Sequence, residues 1–588
     1  MPPAPCCTTR IAALWGLCLS FPSLAFVRLP GVGVTYQGQS PLQRATLLLH
    51  GGGSGGSSAG QDGVAAINSK PPIAQPGDGD ADEEPFPIWR GMSAFEAGES
   101  DAPSAGVIVV DPFCDYLGKR CIDILEEAGY AVVQVMSEHL VSTMGLEGAE
   151  IFRPPTPGEE AAWAAGLPFP LVAVVCESDA GLATAERLQA ALLGPRFGGV
   201  NEARRDKFLM NEAVRKAGLA SARQTKTGDW SKAREFLSTL LSPPSPSSSS
   251  IPSLSSAPEY DGNSLPGGSR SETVGNNEPT TSSPGDLEGK KGDVVATSDG
   301  RPDGGMASVV KPARGCASGS VFLCRGEGEA RDAFYKILGT PKYGTPGALN
   351  DEVVLQEFLV GTEWVVDTVS RDGDHKAMAI WRYDKRPVNG ASFVYFSTQL
   401  MSSDGVDAQR VAEYAFQALD ALGVKFGPTH TEVMMVDDGS GGTPTLIEVN
   451  TRWHLTDFAP LTDACVGYNA VEETLSAYLD PGRFASLPRL PPAGPDYRHG
   501  RVVHLVSHVE GPLQRIHHEE EIRSMESFAG IDVYADPGRG GSGHMKKTID
   551  IRSDAGWVRL VHDNKEVVER DYRRVVELMP TMYEVSAA

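Results

Sequence analysis

The order of apolar runs and amphipathic stretches between residues 105 and 200 predicts a parallel α/β domain. A helical pattern that Gly129 ends lies between the first two apolar runs, and the third run leads into another helix. The elements that this pattern predicts are strands at 107–111, 130–135 and 171–176, and helices at 118–128 and 179–193. The runs are apolar almost throughout, which is typical of strands buried on both faces of a parallel sheet.

A different pattern follows residue 304, where strands alternate with single helices. A turn at Asp372-Gly373 indicates a hairpin between two strands, and an amphipathic helix ends at Gly423. The predicted strands are 307–310, 363–369, 378–383, 502–508 and 549–552, and the predicted helices are 408–422 and 568–577. Together they predict an antiparallel sheet with helices and, after Pro488, a smaller α+β domain that ends in a helix.

Two long segments interrupt these patterns. From Pro243 to Gly304 the chain has 14 Ser, 9 Pro and 9 Gly among 62 residues, and Tyr260 is the only aromatic residue. Such a composition cannot bury a core, so we expect a disordered insertion within a domain. Residues 51–100 are also rich in Gly, Ser and Pro, and we expect a linker there.

The overall composition is that of an acidic, folded, multi-domain protein. The 588 residues include 76 acidic and 52 basic side chains, which gives a net charge of −24, and 41% of the residues are hydrophobic. This balance excludes a general nucleic-acid binder, because phosphate attraction needs clustered Lys and Arg. No apolar run of about 18 residues indicates a transmembrane segment. The nine cysteines show no CxxC spacing, which favours buried, reduced thiols over a zinc or disulfide framework.

The first 61 residues contain three Arg but no Asp or Glu, which indicates a targeting segment. Arg10 precedes an apolar stretch at 11–21, and the small residues Ser23 and Ala25 suit cleavage after Ala25. Phe26 then becomes the new terminus, and the acid-poor stretch behind it resembles the bipartite presequences of algae with secondary plastids. We therefore expect import into a plastid stroma, with the secretory pathway as the alternative.

The first segment with recognisable chemistry is a strand that ends in a lysine and is followed by a loop of small residues. Lys311 ends the strand, and the loop 313–321 that follows contains Gly315 and Ser318. Small side chains let backbone N–H groups approach phosphate oxygens, and the lysine adds a positive charge. The segment is consistent with a phosphate-binding loop, and taken alone it is equally consistent with an ordinary turn.

The second segment places carboxylates on two paired strands. Glu432 and Glu448 interrupt apolar strands that a hairpin at 438–442 joins, so the two side chains can face each other. Glu448 and Asn450 share a face because the side-chain period of a strand is two. Two carboxylates and an amide oxygen suit Mg²⁺, which prefers hard oxygen ligands. The alternative is a cross-strand pair on a solvated face, which like charges directly opposite would destabilise.

In this order the segments resemble the ATP-grasp superfamily, and within it the carboxylate-amine ligases of the L-amino-acid (dipeptide) ligase type. Biotin carboxylase is a more distant relative. The segments that carry the resemblance are Arg204-Arg205-Asp206-Lys207, Lys311-Pro312 with its loop, Gln356-Glu357-Phe358-Leu359 with Gly361-Thr362-Glu363, Glu432, and Glu448-Val449-Asn450-Thr451-Arg452. Without the 62-residue insertion Lys207 and Lys311 are 42 residues apart, so both fit within one small subdomain.

The resemblance implies a division into domains. The implied parts are a signal peptide (1–25), a transit-like and disordered linker (26–104), a pre-ATP-grasp α/β domain (105–200), a two-subdomain ATP-grasp domain (201–485) with the insertion 243–304, and a small C-terminal α+β domain (486–588).

The resemblance also implies a role for each site residue. Lys207 and Lys311 would contact the α- and β-phosphates of ATP, with Gly315 and Ser318 in the phosphate loop. The remaining assignments are Glu357 to Leu359 as the hinge that meets the adenine, Glu363 facing the ribose, Glu432, Glu448 and Asn450 as ligands of Mg²⁺ or Mn²⁺, and Arg452 at the phosphoryl group and acyl phosphate.

Two further segments keep two interpretations each. His430 is a structural residue at a strand end or a member of the substrate or ATP site. The aromatic and basic stretch 381–386 holds a substrate carboxylate through its arginines or forms a solvated strand end.

The function that the resemblance implies is ATP-dependent formation of an amide bond through an acyl phosphate, from small-molecule carboxylate and amine substrates such as amino acids or short peptides. The alternatives are a carboxylase-like reaction on bicarbonate and a regulatory protein that binds ATP without turnover. The assembly considered is a homodimer.

Overall fold

The computed structural model describes residues 103–143, 153–240, 307–316, 319–439 and 441–586. The predicted signal peptide, nearly all of the predicted linker and the predicted insertion 243–304 lie outside these residues. In the part of the chain that is described, none of the helices is both long and apolar enough to cross a membrane.

The first region is a three-stranded parallel sheet with helices, which confirms the parallel α/β prediction. Its elements are β1 (Gly106–Val110), a π-helical turn (Asp115–Lys119), α1 (Arg120–Glu127), β2 (Ala131–Val135), α2 (Glu138–Thr143), α3 (Glu160–Ala165), β3 (Leu171–Cys176) and α4 (Leu182–Leu192). The strand order is β2-β1-β3, and every residue of β1 and β2 is buried. The apolar runs therefore reflect burial on both faces of the sheet.

A buried aspartate ties together the carboxyl ends of these parallel strands. The carboxylate of Asp111, which follows β1, accepts hydrogen bonds from the backbone N and hydroxyl of Ser137, at 2.6 and 2.8 Å, and from the hydroxyl of Ser178. Burial raises the pKa of Asp111, and these hydrogen bonds oppose the rise. The network fixes the chain after β3, where Asp179 enters the cavity described below.

The second region is a four-stranded antiparallel sheet with two helices packed on it. Its elements are α5 (Lys207–Lys216), β4 (Gln224–Thr227), α6 (Trp230–Leu240), β5 (Ser308–Lys311), β6 (Phe322–Cys324), α7 (Glu327–Ile337) and β7 (Val353–Glu357). The strand order is β4-β7-β5-β6. Leu237 of α6 and Phe334 of α7 pack on Leu355 of β7 in one apolar core.

The third region is built on an eight-stranded antiparallel sheet that runs through the rest of the chain. The elements are β8 (Gly361–Arg371), β9 (Asp374–Val388), β10 (Ala391–Leu400), α8 (Val406–Ala421), β11 (Gly427–Val436), β12 (Thr443–Asn450), α9 (Ala459–Val466), α10 (Ala470–Leu479), α11 (Pro481–Ser486), β13 (His499–Leu505), β14 (Gly511–Ile516), α12 (Glu519–Arg523), β15 (Phe528–Val533), β16 (His544–Met545), β17 (Gly556–His562), α13 (Lys565–Leu578) and β18 (Tyr583–Val585). The large sheet has the order β12-β11-β8-β9-β10-β13-β17-β15, and β16-β14-β18 form a small separate sheet.

Local signals explain two of the connections in this region. Asp372 and Gly373 join β8 to β9 with φ of 54° and 83°, which is the backbone of a tight hairpin turn. Helix α8 buries Val411, Ala415 and Leu419 at helical spacing against the large sheet, and the chain leaves it at Gly423 with φ of 64°. The amphipathic helix is confirmed within two residues at each end, and the hairpin is confirmed at its predicted turn, although its second strand is longer at both ends than the predicted 378–383.

The strand predicted at 549–552 is wrong. Ile551–Ser553 form a 3₁₀ turn, in which the Asp550 carboxylate accepts a hydrogen bond from Ser553 N at 2.9 Å and the Ser553 hydroxyl accepts one from Asp550 N at 3.0 Å. These side-chain bonds replace strand pairing, and the next strand, β17, begins only at Gly556.

Candidate active site

A cavity of about 510 Å³ lies where the three regions meet. The first region contributes Asp179, the four-stranded sheet contributes Lys311, and the large sheet contributes Glu432. The predicted site residues that line the cavity are Lys207, Lys311, Gly315, Glu357, Leu359, Glu363, Glu432, Glu448 and Arg452. Asn450 lies beside Glu448, and Ser318 is outside the described residues.

The two acidic residues face each other across paired strands. Glu432 of β11 is directly opposite Glu448 of β12. Lys207 Nζ donates to Glu448 Oε2, and Asn450 Nδ2 donates to Glu448 Oε1 at 2.9 Å. Burial works to raise the pKa of Glu448, but the charge of Lys207 lowers it below its usual value. Both the facing of the carboxylates and the shared side of Glu448 and Asn450 follow from the two-residue period of a strand.

Glu432 has a different cationic partner from Glu448. His430 Nε2 donates to Glu432 Oε1 at 3.1 Å; His430 is buried, and the Glu432 side chain is 15% exposed. Burial works to raise the pKa of Glu432, but the hydrogen bond from His430 and the charge of Lys385 lower it well below its usual range. Each member of the acidic pair is therefore ionised beside its own cation, and the repulsion between them is offset.

The two predicted phosphate-binding lysines converge although the chain between them is long. Lys207 is the first residue of α5, and its backbone N donates to Ala313 O at 2.8 Å, which joins this helix to the loop after β5. Burial and the neighbouring charge of Lys207 lower the pKa of Lys311 to about 8. Burial works against the charge of Lys207 as well, but Glu448 raises its pKa above the usual value. Near neutral pH both lysines are positively charged, and both line the cavity.

We expect ATP affinity to weaken as the pH rises through 8. Lys311 attracts phosphate only when it is protonated, and its pKa of about 8 means that this charge is complete well below pH 8 and disappears above it. The dissociation constant for ATP should rise by about tenfold per pH unit above that value. Fluorescence titration with ATP at constant ionic strength measures this slope.

The control for this titration is Lys311→Arg, because arginine stays charged over the whole range. Its ATP affinity should be independent of pH over the same interval. An equal slope in both proteins would show that another group causes the pH dependence.

The predicted adenine hinge connects β7 to β8. The Glu357 carboxylate accepts hydrogen bonds from the backbone N of Arg223 at 2.8 Å and from its Nε at 2.6 Å. The backbone N–H groups of Glu357 and Phe358 donate to the carbonyls of Arg223 and Ala307. The assignment of this segment as the adenine hinge stays a prediction.

Glu363, predicted to face the ribose, is bound to a lysine. Lys385 Nζ donates to Glu363 Oε1 at 2.6 Å, and both side chains are about 85% buried. The Lys385 ammonium also lies 4.7 and 4.4 Å from the ring centres of Tyr383 and Tyr395. Burial raises the pKa of Glu363, and the charge of Lys385 opposes the rise. The ribose assignment stays a prediction.

The stretch 381–386 is not a solvated strand end, and its arginines do not line the cavity. Trp381 is fully buried, and Tyr383 and Lys385 line the cavity. Because successive side chains of a strand point to opposite faces, Arg382 and Arg386 lie on the other side, where they contact Gln399 and Asp384. The cation that this stretch contributes is therefore a lysine.

A histidine pair on a buried aspartate completes this side of the cavity. Asp367 accepts hydrogen bonds from Trp381 Nε1 at 2.6 Å, from His430 Nδ1 at 3.0 Å and from His454 Nδ1 at 3.2 Å. The two imidazole rings are 4.0 Å apart between centres. The Tyr383 hydroxyl lies 3.0 Å from His454 Nε2.

The two imidazoles of this pair differ in protonation, because one is positively charged and the other is neutral. Burial works to lower the pKa of His430, but hydrogen bonds to Asp367 and Glu432 raise it to about 9. Burial and the charge of His430 lower the pKa of His454 to about 4. His430 is thus an imidazolium between two carboxylates, and His454 is neutral, with Nε2 accepting a hydrogen bond from Tyr383.

Arg452 links the large sheet to the first region. Its Nε and Nη2 donate to the two carboxylate oxygens of Asp179 at 2.8 and 2.9 Å, and its Nη1 donates to Trp453 O at 2.8 Å. The Arg452 and Asp179 side chains are only 8% and 12% exposed. The bidentate pair fixes the plane of the guanidinium at the cavity wall.

The sequence analysis missed Asp179, Asp367 and His454, and it gave Lys385 no specific role. Asp367 interrupts an apolar strand as Glu432 does, so the same signal could have found it. Asp179 carries no comparable signal, because its role depends on a partner 273 residues away.

Comparison with known proteins gives the same class as the fold and the site. Residues 305–456 match the ATP-grasp domain family. This match confirms, for these residues, the resemblance to the ATP-grasp superfamily that the sequence indicates.

Two similar proteins extend this result. Dapdiamide A synthase from Enterobacter agglomerans is 27% identical over 279 residues, which cover 47% of this chain and 62% of that synthase. The chain thus aligns with less than two thirds of that relative. The crystal structure of an L-amino acid ligase from Bacillus licheniformis superposes with a TM-score of 0.50 at 15% identity, covering 83% of this chain and 100% of the ligase. This second similarity concerns the fold.

Proposed function

We propose that this protein is an ATP-dependent carboxylate-amine ligase. The observation that carries the proposal is the facing pair Glu432 and Glu448 in one cavity with Lys207, Lys311 and Arg452. Phosphoryl transfer depends on positioning and on charge neutralisation, and this set supplies both. In this proposal Lys207 and Lys311 bind the phosphates of ATP.

The acidic pair fits a divalent cation. Both carboxylates are ionised and mostly shielded from solvent, and Asn450 adds an amide group beside them, which is a donor set of the kind that Mg²⁺ or Mn²⁺ prefers. Glu432, Glu448 and Asn450 would hold the ion. When bound, it would neutralise charge on the transferred phosphoryl group.

The reaction has two steps. A carboxylate oxygen of the first substrate attacks the γ-phosphorus of ATP, the bond to the β,γ-bridging oxygen breaks, and ADP leaves. The amine nitrogen of the second substrate then attacks the acyl carbon, the bond from that carbon to the phosphate oxygen breaks, and the nitrogen loses a proton. Arg452, held in plane by Asp179, donates hydrogen bonds to the phosphoryl oxygens in both steps.

The name of the L-amino acid ligase supports amino acids or short peptides as the substrate class. The test is release of ADP and phosphate across a matrix of amino-acid pairs, with mass spectrometry of the products. We expect a new amide in equal amount to the phosphate released. Bicarbonate-dependent phosphate release without an amide would favour the carboxylase alternative, and ATP binding without turnover would favour a regulatory role.

For location, the proposal is a plastid stroma. The acid-free residues 1–61, the apolar stretch 11–21 and a new terminus at Phe26 support it. A fusion of residues 1 to 60 to a fluorescent protein should enter the plastid of an alga with complex plastids, and Phe26→Ala should divert it to the endomembrane system. Secretion of the unaltered fusion would contradict the location, and plastid import of the Phe26→Ala fusion would contradict the role of Phe26.

The proposed assembly is a homodimer. Light scattering of the purified protein decides the point. A mass near the 62.5 kDa of a single chain would contradict it.

A further inference from the structure

The cavity extends beyond the acidic pair along one face of the large sheet. Its far part is lined by side chains of β10, β13, β17 and β15. His504 and Asp532 are both cross-strand partners of Trp557, and Thr398 is the partner of Tyr383. Because cross-strand partners share a face, the wall that begins at Tyr383 continues to Asp532.

At this far end, one carboxylate oxygen of Asp554 accepts no hydrogen bond from the described residues. Asp554 Oδ2 lies 2.8 Å from His504 Nδ1, and His504 Nε2 lies 3.0 Å from the Thr398 hydroxyl. Among the described residues Asp554 Oδ1 has no hydrogen-bond partner, although the side chain is only 5% exposed and lines the cavity. Burial raises the pKa of Asp554 to about 6, and the charge of His504 opposes the rise. A buried carboxylate oxygen without a partner indicates a missing donor.

The charges around Asp554 favour a cation as that donor. Asp457, Asp532 and Asp554 all act on the Tyr534 hydroxyl and, together with burial, raise its pKa. Of these three, Asp457 is paired with Arg559, whose guanidinium also stacks 4.5 Å from the Trp557 ring centre.

The cations nearby leave Asp554 Oδ1 and Asp532 without a direct partner among the described Lys and Arg residues. His504 lies against the other oxygen of Asp554, and the charge of Arg539 acts on Asp532 without an ion pair between them. Arg552, a further arginine of the lining, contacts Cys316 Sγ at 3.2 Å. The carboxylates of Asp532 and Asp554, which have aromatic neighbours, are therefore available to bind a positively charged group.

We propose that the far end of the cavity binds a primary ammonium group of one of the two substrates, with Asp554 and Asp532 as its acceptors. The inference rests on the proposed ligase function and specifies its substrate class. Tyr383 and Tyr395 are 5.0 Å apart between ring centres, and Tyr395 and His504 are 5.6 Å apart. The ammonium therefore sits on a side chain or peptide that extends away from the reacting carboxylate, as the ε-amino group of a lysine does.

The test compares binding of L-lysine and L-norleucine to the full-length protein by calorimetry, because norleucine has the same carbon chain and α-amino group as lysine but lacks the ε-ammonium group. We expect the protein to bind lysine at least about tenfold more tightly, since a charge-assisted hydrogen bond is lost with norleucine. Asp554→Asn and Asp532→Asn should each reduce this ratio toward one. Equal affinity for the two amino acids in the unaltered protein would overturn the proposal.

The matched control is Asp563→Asn, which removes an exposed carboxylate from the same region, paired with Arg498 on the surface. This variant should keep the preference for lysine. Thermal melting and ATP affinity show whether each variant is folded, and Asp532→Asn serves if Asp554→Asn is not. A lysine preference that persists in a folded Asp554→Asn or Asp532→Asn variant would assign the selectivity elsewhere and overturn the proposal.

The binding measurement is independent of turnover. A lysine preference without amide formation in any substrate pair would contradict the ligase function alone. Amide formation without a lysine preference would contradict only the ammonium site.

Discussion

Replacing Glu448 by glutamine is expected to lower the rate of ADP formation by about 10³-fold or more. The proposed metal ion would lose a negatively charged ligand, and it would then be held less firmly beside the transferred phosphoryl group. The substitution preserves the size of the side chain but removes the negative charge that faces Glu432 and pairs with Lys207. Lys207 would then be a buried ammonium without its carboxylate partner. A coupled assay at saturating ATP and Mg²⁺ measures the rate.

Glu413→Gln is the control for this variant. Glu413 lies on the exposed side of α8 and pairs with Arg489 at the surface, so its replacement should leave turnover within about twofold of the unaltered protein. Circular dichroism and thermal melting establish that the Glu448→Gln protein is folded. Normal Mg²⁺-dependent turnover by that folded protein would rule out Glu448 as a metal ligand.

Arg452→Lys should lower kcat by about 10²- to 10³-fold while the dissociation constant for ATP stays nearly unchanged. Lysine keeps a positive charge but cannot reproduce the two parallel hydrogen bonds to Asp179, so the charge is no longer fixed at the cavity wall. The expected separation of kcat from ATP binding follows because Lys207 and Lys311, not Arg452, are assigned to the ATP phosphates. Single-turnover kinetics and equilibrium ATP titration measure the two quantities.

An exposed arginine provides the comparison. Arg498 forms a surface ion pair with Asp563, and Arg498→Lys should change neither kcat nor ATP affinity. If Arg452→Lys weakened ATP binding as strongly as it lowered kcat, Arg452 would belong to the ATP site and not to the chemical step.

The parts of the site that could be predicted are those that short stretches of sequence determine. Glu432 and Glu448 lie on strands joined by a short hairpin, so the two-residue period and the turn together place them opposite each other. An apolar run followed by small residues likewise predicts Lys311 at the end of a strand, directly before a loop. These local patterns do not depend on how the rest of the chain folds.

The parts that could not be predicted depend on contacts between distant segments. Asp179 meets Arg452 only after two separate regions have packed together, and Asp554 meets His504 only after β13 has paired with β17. The error at residues 549–552 has another cause, since apolar Ile549 and Ile551 suggest a strand while the Asp550 and Ser553 side chains cap a turn. Local hydrogen bonding of this kind overrides a weak hydrophobic pattern.

The continuity of the large sheet affects how this protein can be cut or recombined. β10 pairs with β9 along one edge and with β13 along the other, although two strands and four helices lie between β10 and β13 in the chain. A shortened chain that ended before β13 would expose the backbone N–H and C=O groups of β10 along an open edge, which promotes self-association into aggregates. The carboxy-terminal portion is thus an inseparable part of the catalytic scaffold, and exchange of substrate-binding parts between related proteins would have to replace individual side chains instead of whole segments.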